Sequence, residues 1–382
     1  MVKRWGVAGT VLALGTGAVL AVSGMQEAYA AAACTVSAHC LVVTPYGTLR
    51  GGDAPTMAVG ADLEVDCLSL PNPTTGFVSW EMWNDTGGDS AAVATQSWVE
   101  AGMNAGVVQD AGGTLYTGFE WFWADKRPNG TYFEHYIRAA TTGTSTNVSF
   151  YHVATGTWSV RLGGTQVGSS VGNGDLSGGG QAGAESTTGD ARIKATLDNY
   201  QYADRSGLWH GVTPVFGDGG DAANWVTATA SKGTVTGAKL VVSNGCPSST
   251  ATTGQATAQQ ATVRAAAAVP AQPPSPALLH RLALASSRSN GESAPSGLSY
   301  VATTRWQATA LLGAQVGGDG PAYLVTLHGS FSGAGALVPA HHQRPTGTTM
   351  VLVVDRATGQ ITDTAITNTA PALSTLGHPA TL

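Results

Sequence analysis

Between Ser97 and Trp123 the chain runs SWVEAGMNAGVVQDAGGTLYTGFEWFW: two apolar runs split by a glycine pair, each with a glutamate inside it. Short runs rich in valine and aromatic residues and broken by glycine favour pleated strands over helices. A carboxylate in such a run is costly to bury without a partner. Glu100 in the first run, and Glu120 among Phe119, Trp121, Phe122 and Trp123 in the second, are therefore exposed on a sheet face or held together for chemistry. Glu185, in GQAGAESTTG, poses the same alternative.

The same texture extends from Thr35 to about Ser243. Strands are expected at Phe77–Trp83, Ala92–Gly102, Thr114–Trp123, Tyr132–Ala139, Thr146–His152, Thr157–Leu162, Gln181–Ser186 and Ala238–Ser243. Turn chemistry separates them at Asp85-Thr86-Gly87-Gly88, Arg127-Pro128-Asn129-Gly130 and Ala154-Thr155-Gly156. NVSFYHVATGTWSVRLGGTQVG reads as a hairpin followed by a second tight turn. With no sustained helical period, residues 34–246 are expected to form an all-β, two-sheet sandwich.

Residues 1–30 read as an export signal: Lys3 and Arg4, an apolar stretch from Trp5 to Val22, then Ala28-Tyr29-Ala30 as a cleavage site. The mature chain is expected outside the cell, secreted, with no membrane partner after signal cleavage, and the style of signal suggests a bacterial source. A net charge of -6 with no basic cluster beyond Lys3 and Arg4 argues against nucleic acid. Four cysteines in an exported chain favour two disulfides. Three pairings are open. The favoured one joins Cys34 to Cys40 in a short loop and Cys67 to Cys246 as a long clasp. No CxxC occurs and no histidine lies at ligand spacing from these cysteines, so no metal site and no cofactor are expected.

Residues 247–296 are rich in Ala, Thr, Gln, Ser and Pro and read as a linker, with a short helix near Ala277–Ala285. Residues 297–382 read as a small α+β module. A helix is expected at Thr304–Leu312 and strands at Tyr323–Leu327, Met350–Val354 and Ile361–Ala365.

Three short motifs carry a resemblance. Trp98-Val99-Glu100-Ala101-Gly102, Phe119-Glu120-Trp121-Phe122 and Ala184-Glu185-Ser186 stand in the order of L-Q-T-G, Y-E-W-Y and A-E-W in the fungal glutamic peptidases (eqolisins). The main domain resembles that family from about Trp80 to Val242. The resemblance implies a concanavalin-like antiparallel β-sandwich and an acid-active hydrolase of polypeptides. Glu185 falls on the family's catalytic glutamate and Glu100 on its catalytic glutamine. That glutamine donates an amide hydrogen bond to the developing oxyanion. A glutamate can donate there only when protonated, and two close carboxyl groups share one proton because both cannot ionise cheaply. Plant neprosin-type peptidases are similar in using a glutamate pair. On this reading Glu185 is the general base, protonated Glu100 polarises the scissile carbonyl, and Trp98, Glu120, Trp121 and Trp123 line the cleft. Ser186 replaces the tryptophan of A-E-W.

The rival class is a non-catalytic module that binds glycans or protein surfaces. Trp80, Trp83, Trp98, Trp121, Trp123, Trp158, Trp209 and Trp225 supply aromatic faces, against the simpler expectation that most of them fill the core. The loops at Asn173 and Asp175 and at Asp218 and Asp221 lack an ordered calcium-ligand spacing and read as flexible. His341-His342 reads as a solvated doublet.

Overall fold

The computed structural model describes residues 40–45, 57–70, 77–87, 96–109, 115–175, 179–187, 191–211, 217–218, 227–232, 238–246, 273–336, 338–339 and 342–382. The expected signal, Cys34 with its proposed partner loop, Trp225, Asp221, His341 and most of the expected linker lie outside them.

The first strands are β1 (Cys40–Pro45), β2 (Ala58–Ser69), β3 (Phe77–Asp85), β4 (Trp98–Gln109), β5 (Leu115–Lys126), β6 (Tyr132–Ala139) and β7 (Thr146–Ala154). There follow β8 (Thr157–Leu162), β9 (Thr165–Val171), β10 (Gly179–Ser186), β11 (Arg192–Ala203) and β12 (Trp209–Gly211). Short strands β13 (Gly217–Asp218), β14 (Thr227–Lys232) and β15 (Ala238–Ser243) complete the first part of the chain. Helix α1 (Pro276–Ser289) precedes β16 (Ser296–Thr304), helix α2 (Arg305–Leu311) and β17 (Ala314–Val316). The last strands are β18 (Pro321–Phe331), β19 (Gly347–Asp355), β20 (Ile361–Thr367) and β21 (Ala380–Thr381).

They form two antiparallel sheets, an all-β sandwich. The larger sheet has twelve strands in the order β13-β1-β10-β3-β4-β5-β6-β20-β19-β18-β16-β21. The smaller has nine, in the order β14-β15-β11-β2-β7-β8-β9-β17, with β12 beside β11. Side chains alternate along each strand, so Val78, Trp80 and Met82 of β3, Val99 and Met103 of β4, and Trp121 and Trp123 of β5 face the smaller sheet. There they meet Val59, Leu63, Phe150, Trp158, Ile193 and Leu197 in one apolar core. Cys67 on β2 and Cys246 after β15 are disulfide-bonded with Cα atoms 6.1 Å apart. Closing so long a loop stabilises by about 3–5 kcal/mol.

The strands expected in residues 297–382 are present, but they do not stand alone. β20 pairs with β6, from Asp363 opposite His135 to Ile366 opposite Tyr132, and β17 pairs with β9. Both sheets of the sandwich thus run on into this segment, and Ala31–Leu382 clusters as one compact unit. The edge of β6, with its unpaired N–H and C=O groups, is satisfied by a strand from more than two hundred residues further along the chain. The helix expected near Ala277–Ala285 is α1, capped by the Ser275 side chain with Pro276 in its first turn. Its Leu278, Leu279 and Leu282 pack on Leu327, Leu352 and Val354 of β18 and β19.

The joint is locked by charge. Asp363 on β20 is buried. It accepts from His135 Nδ1 at 2.8 Å and from Arg305 Nε and Nη2 at 2.8 and 2.9 Å. Arg305 Nη2 also donates to the Tyr136 carbonyl at 2.6 Å. Burial pushes the Asp363 carboxyl up, but the bonds from His135 and Arg305 outweigh it and hold the group below the usual carboxylate range. Removing one partner of a buried pair strands the other charge and costs about 3–5 kcal/mol. Asp363→Ala is expected to lower the stability of the whole sandwich by that amount, read as a fall in the urea midpoint at unchanged slope.

Candidate functional site

The second face of the larger sheet carries the carboxyl groups. Register fixes who stands beside whom, because directly paired residues of antiparallel strands share a face. One row across β10, β3, β4 and β5 reads Glu185, Ser79, Asn104, Glu120. The next, continuing to β6, reads Gly183, Glu81, Gly102, Phe122, Tyr136. The third reads Gln181, Trp83, Glu100, Ala124, Glu134, and the fourth brings Asp85, Trp98, Lys126 and Tyr132 together. The whole set shares one face because each residue sits an even number of places from the next on its strand.

Glu100 and Glu185 therefore lie on the same face, and both are fully buried. They are not register neighbours: one intervening strand, β3, and four residues along β4 separate them. Glu81, which the sequence reading passed over, fills that gap as the diagonal neighbour of both. Gly102 makes room for it. A Cβ at position 102 would lie 2.4 Å from both the Glu81 Cβ and the Trp80 carbonyl oxygen.

Each carboxyl has a distinct set of partners. Glu100 Oε2 accepts from Trp98 Nε1 at 3.0 Å and Oε1 from the Tyr132 hydroxyl at 3.1 Å. The same hydroxyl lies 3.3 Å from Glu134 Oε2. A hydroxyl has one hydrogen to give. It can serve one of these two carboxyls, and the other completes the contact only by bringing a proton of its own. Glu81 Oε1 accepts from Ser79 Oγ, while its Oε2 is buried and meets no hydrogen-bond partner among the described residues. Glu185 Oε2 accepts from the backbone N–H of Val338 at 3.0 Å.

Burial is the main force on these groups, raising the cost of the charged form. It pushes Glu81 well up, against the Ser79 bond and with help from the Glu134 charge. Glu100 is raised well above its ordinary range, again by burial first and then by the charges of Glu81 and Glu134, with the Tyr132 and Trp98 bonds opposing. Glu120, half-buried on the Glu185 row, is pushed up to about 8 by burial and the Glu134 charge. Burial brings Glu134 to about 7 despite its Tyr132 bond. A site of neutral carboxyl groups results wherever the surroundings are acidic.

The expected cleft residues divide. Trp98 and Glu120 lie on this face. Trp121 and Trp123 do not: alternation along β5 turns them into the core between the sheets, where they are 4% and 0% exposed. The even-numbered Phe122 and Ala124 face the carboxyls in their stead. The expected flexible loop at Asn173 and Asp175 is tied down. Asn173 Nδ2 donates to the Trp98 carbonyl at 3.1 Å and to Ser170 Oγ at 2.9 Å, and its Oδ1 accepts from the Thr86 hydroxyl at 2.5 Å. Asp175 Oδ1 accepts from the Gly156 N–H and contacts His152 Nε2 at 3.0 Å. Of the expected solvated histidine doublet, His342 lies edge-on to Trp98 with ring centroids 5.4 Å apart and its Nε2 is 3.3 Å from Asp85 Oδ2.

Described residues between β18 and β19 pack on this face. Ala336 and Val338 pack with Phe77, Trp83, Trp98, Phe122 and Tyr132 in a second apolar cluster. Val338 lends its N–H to Glu185, and the Gln343 N–H donates to Gln96 Oε1 at 3.0 Å.

No family model and no curated protein matches the chain. Among solved structures, it is similar to scytalidoglutamic peptidase bound to a peptide-based transition-state analogue, at 13% identity and a TM-score of 0.31, over 54% of this chain and 97% of that one. It is also similar to SCP-B, a member of the eqolisin family of peptidases in complex with the tripeptide Ala-Ile-His, at 14% identity and a TM-score of 0.29, over 54% of this chain and 96% of that one. At that level of similarity neither activity nor site residues transfer.

Carboxyl groups raised in the folded state bind protons there that the unfolded chain has already released. Their stabilisation is full below the ordinary carboxylate range and is lost as pH rises through about 7 for Glu134 and about 8 for Glu120. The sandwich is expected to melt higher at pH 4.5 than at pH 8.5 by several degrees, and Glu134→Gln is expected to flatten that slope, both read by thermal denaturation across pH. Gly102→Ala is expected to cost about 1–3 kcal/mol by forcing Glu81 and β3 aside, measured by denaturant unfolding at pH 5.

Proposed function

We propose that this protein is an exported, acid-active hydrolase of polypeptides that works on the carboxyl-lined face of its larger sheet. The supporting observation is the mixture held there: Glu185 in contact with a backbone amide, surrounded by groups that burial keeps neutral and able to donate. General acid–base work needs a group that accepts a proton beside groups that can donate one.

Glu185 serves as the general base. Its carboxylate takes a proton from water as the water oxygen bonds to the peptide carbonyl carbon. The developing oxyanion needs a neutral donor. Asn104 carries an amide on the Glu185 row, with only the short Ser79 between them, and protonated Glu81 lies on the diagonal. The C–N bond then breaks, and the proton held by Glu185 passes to the leaving amine. Glu100 stands a row beyond. In this reading it keeps the face neutral by sharing protons with Tyr132 and Glu134, and positions Trp98, rather than touching the carbonyl.

Glycan binding by a tryptophan row has less support. Trp80, Trp83, Trp98, Trp121, Trp123 and Trp158 are all buried, and among the described residues the exposed ones are Trp209 and Trp306.

The test is peptide release from denatured casein at pH 3–4, by a chain in which residues 332–346 are replaced by a short glycine-serine turn and by the same chain carrying Glu185→Gln, Asn104→Ala or Glu100→Gln. Loss of about two orders of magnitude or more is expected for Glu185→Gln and Asn104→Ala, the latter being typical for removal of one oxyanion donor. Glu100→Gln is expected to lose less than about tenfold. Equal release by the parent and Glu185→Gln, or none by the parent, overturns the reading.

A further inference from the structure

The segment over the acidic face is more than a cover. Ala336 and Val338, two residues apart, enter the same apolar cluster between a turn closed by the Ala336 N–H on the Gly333 carbonyl and one closed by the His342 N–H on the Pro339 carbonyl. Small aliphatic groups are what this cluster has room for. Phe77, Trp83, Trp98, Phe122 and Tyr132 are each 5% exposed or less around them. At the same point the backbone supplies a polar contact: the Val338 N–H donates to Glu185 Oε2 at 3.0 Å. Pro339, which has no N–H to leave unsatisfied in the dry site, follows and is also buried. Farther on, the Gln343 N–H reaches Gln96 Oε1, and His342 rests on Trp98 and against Asp85. Apolar pockets that take alternate side chains, with a polar group meeting the main chain, are how an extended peptide is held at a sheet.

We infer that this face is a binding site for a short polypeptide stretch with small aliphatic side chains two places apart, and that Ala336 and Val338 occupy it as part of the chain's own ligand. The inference deepens the hydrolase reading by naming its substrate class, and rests on that reading for activity alone; the binding site stands on the packing. Self-occupation closes Glu185 to solution. A substrate gains access only by displacing the segment, so the full chain is latent.

Occupancy is read chemically, apart from turnover. A water-soluble carbodiimide with an amine nucleophile labels carboxyl groups that solvent reaches, and mass spectrometry of the digest locates the label. In the full-length chain Glu185 is expected to stay unlabelled. In the chain with 332–346 replaced by the short turn it is expected to be labelled at least tenfold more. Val338→Asp, which puts a charge into the apolar cluster beside Glu185 while leaving the sheet intact, is expected to expose it likewise and guards against a shortened chain that does not fold. A synthetic peptide GAGALVPA, copied from residues 333–340, is expected to restore protection to the shortened chain, whereas its Ala336→Lys, Val338→Lys counterpart is not. Equal labelling of Glu185 in full-length and shortened chains, or equal protection by both peptides, overturns the inference. Labelling and peptide protection as expected, with no casein cleavage by the shortened chain, uphold the binding site and remove the hydrolase reading.

Discussion

The central strands of the larger sheet are buried on both faces, and this double burial governs the chemistry of every carboxyl group on them. One face packs against the smaller sheet through Trp80, Met103 and Trp123. The other would be solvated in an ordinary antiparallel sandwich. Here α1 covers its far end and Ala336 and Val338 pack over the near end, and Glu81, Glu100 and Glu185 lose water altogether. An ionised carboxylate without a cation beside it is very costly in such a place. Lys126 lies on the same face, but its ammonium is spent on the Gln96 carbonyl and the Trp98 ring. Neutralisation by protons is the solution left, so burial raises the pKa of these carboxyl groups.

Much of this could be read from the chain. The spans of β6, β8 and β15 match those expected from alternation in the sequence and turn residues alone. Glu100, Glu120 and Glu185 were singled out by the incongruity of an acid in an apolar run, and that signal is physical. Glu81 carries the same signal in FVSWEMWND, an acid within an apolar, aromatic run. The placement of Trp121 and Trp123 in the cleft came with the resemblance and not from their alternation. Period-two alternation, counted from Glu120, assigns both to the opposite face, and the bulge between Trp121 and Phe122 lies on the side toward β6 and leaves the pairing with β4 in step.

What the chain could not disclose is pairing over long separations. Nothing in ITDTAIT says that it will complete the edge of β6, nor does anything local in β6 ask for it. The linker-like composition before α1 suggests an independent module. The joint is instead made by single residues whose purpose appears only in three dimensions: Asp363 answers His135 and Arg305, and Arg305 answers the Tyr136 carbonyl. The cover over the acidic face is of the same kind. SGAGALVPA has the composition of a surface loop, and only the neighbourhood of Trp83, Trp98 and Glu185 turns it into a ligand.

The order of protonation on this face bears on what it can hold. Tyr132 ties Glu100 to Glu134 through one hydrogen, so the pair is most stable with a proton in excess of the hydroxyl's own. Glu81 has a buried oxygen with no hydrogen-bond partner among the described residues, and burial pushes the group well above the ordinary carboxylate range. A cation would need these groups ionised together, which their mutual repulsion and burial oppose. A peptide asks for the reverse: donors for its carbonyl oxygens, acceptors for its N–H groups, and apolar walls for its side chains. Neutral carboxyl and amide groups offer donor and acceptor in one side chain, and the aromatic residues between them supply the walls. The same protons that make the face tolerable to bury therefore fit it to an uncharged main chain.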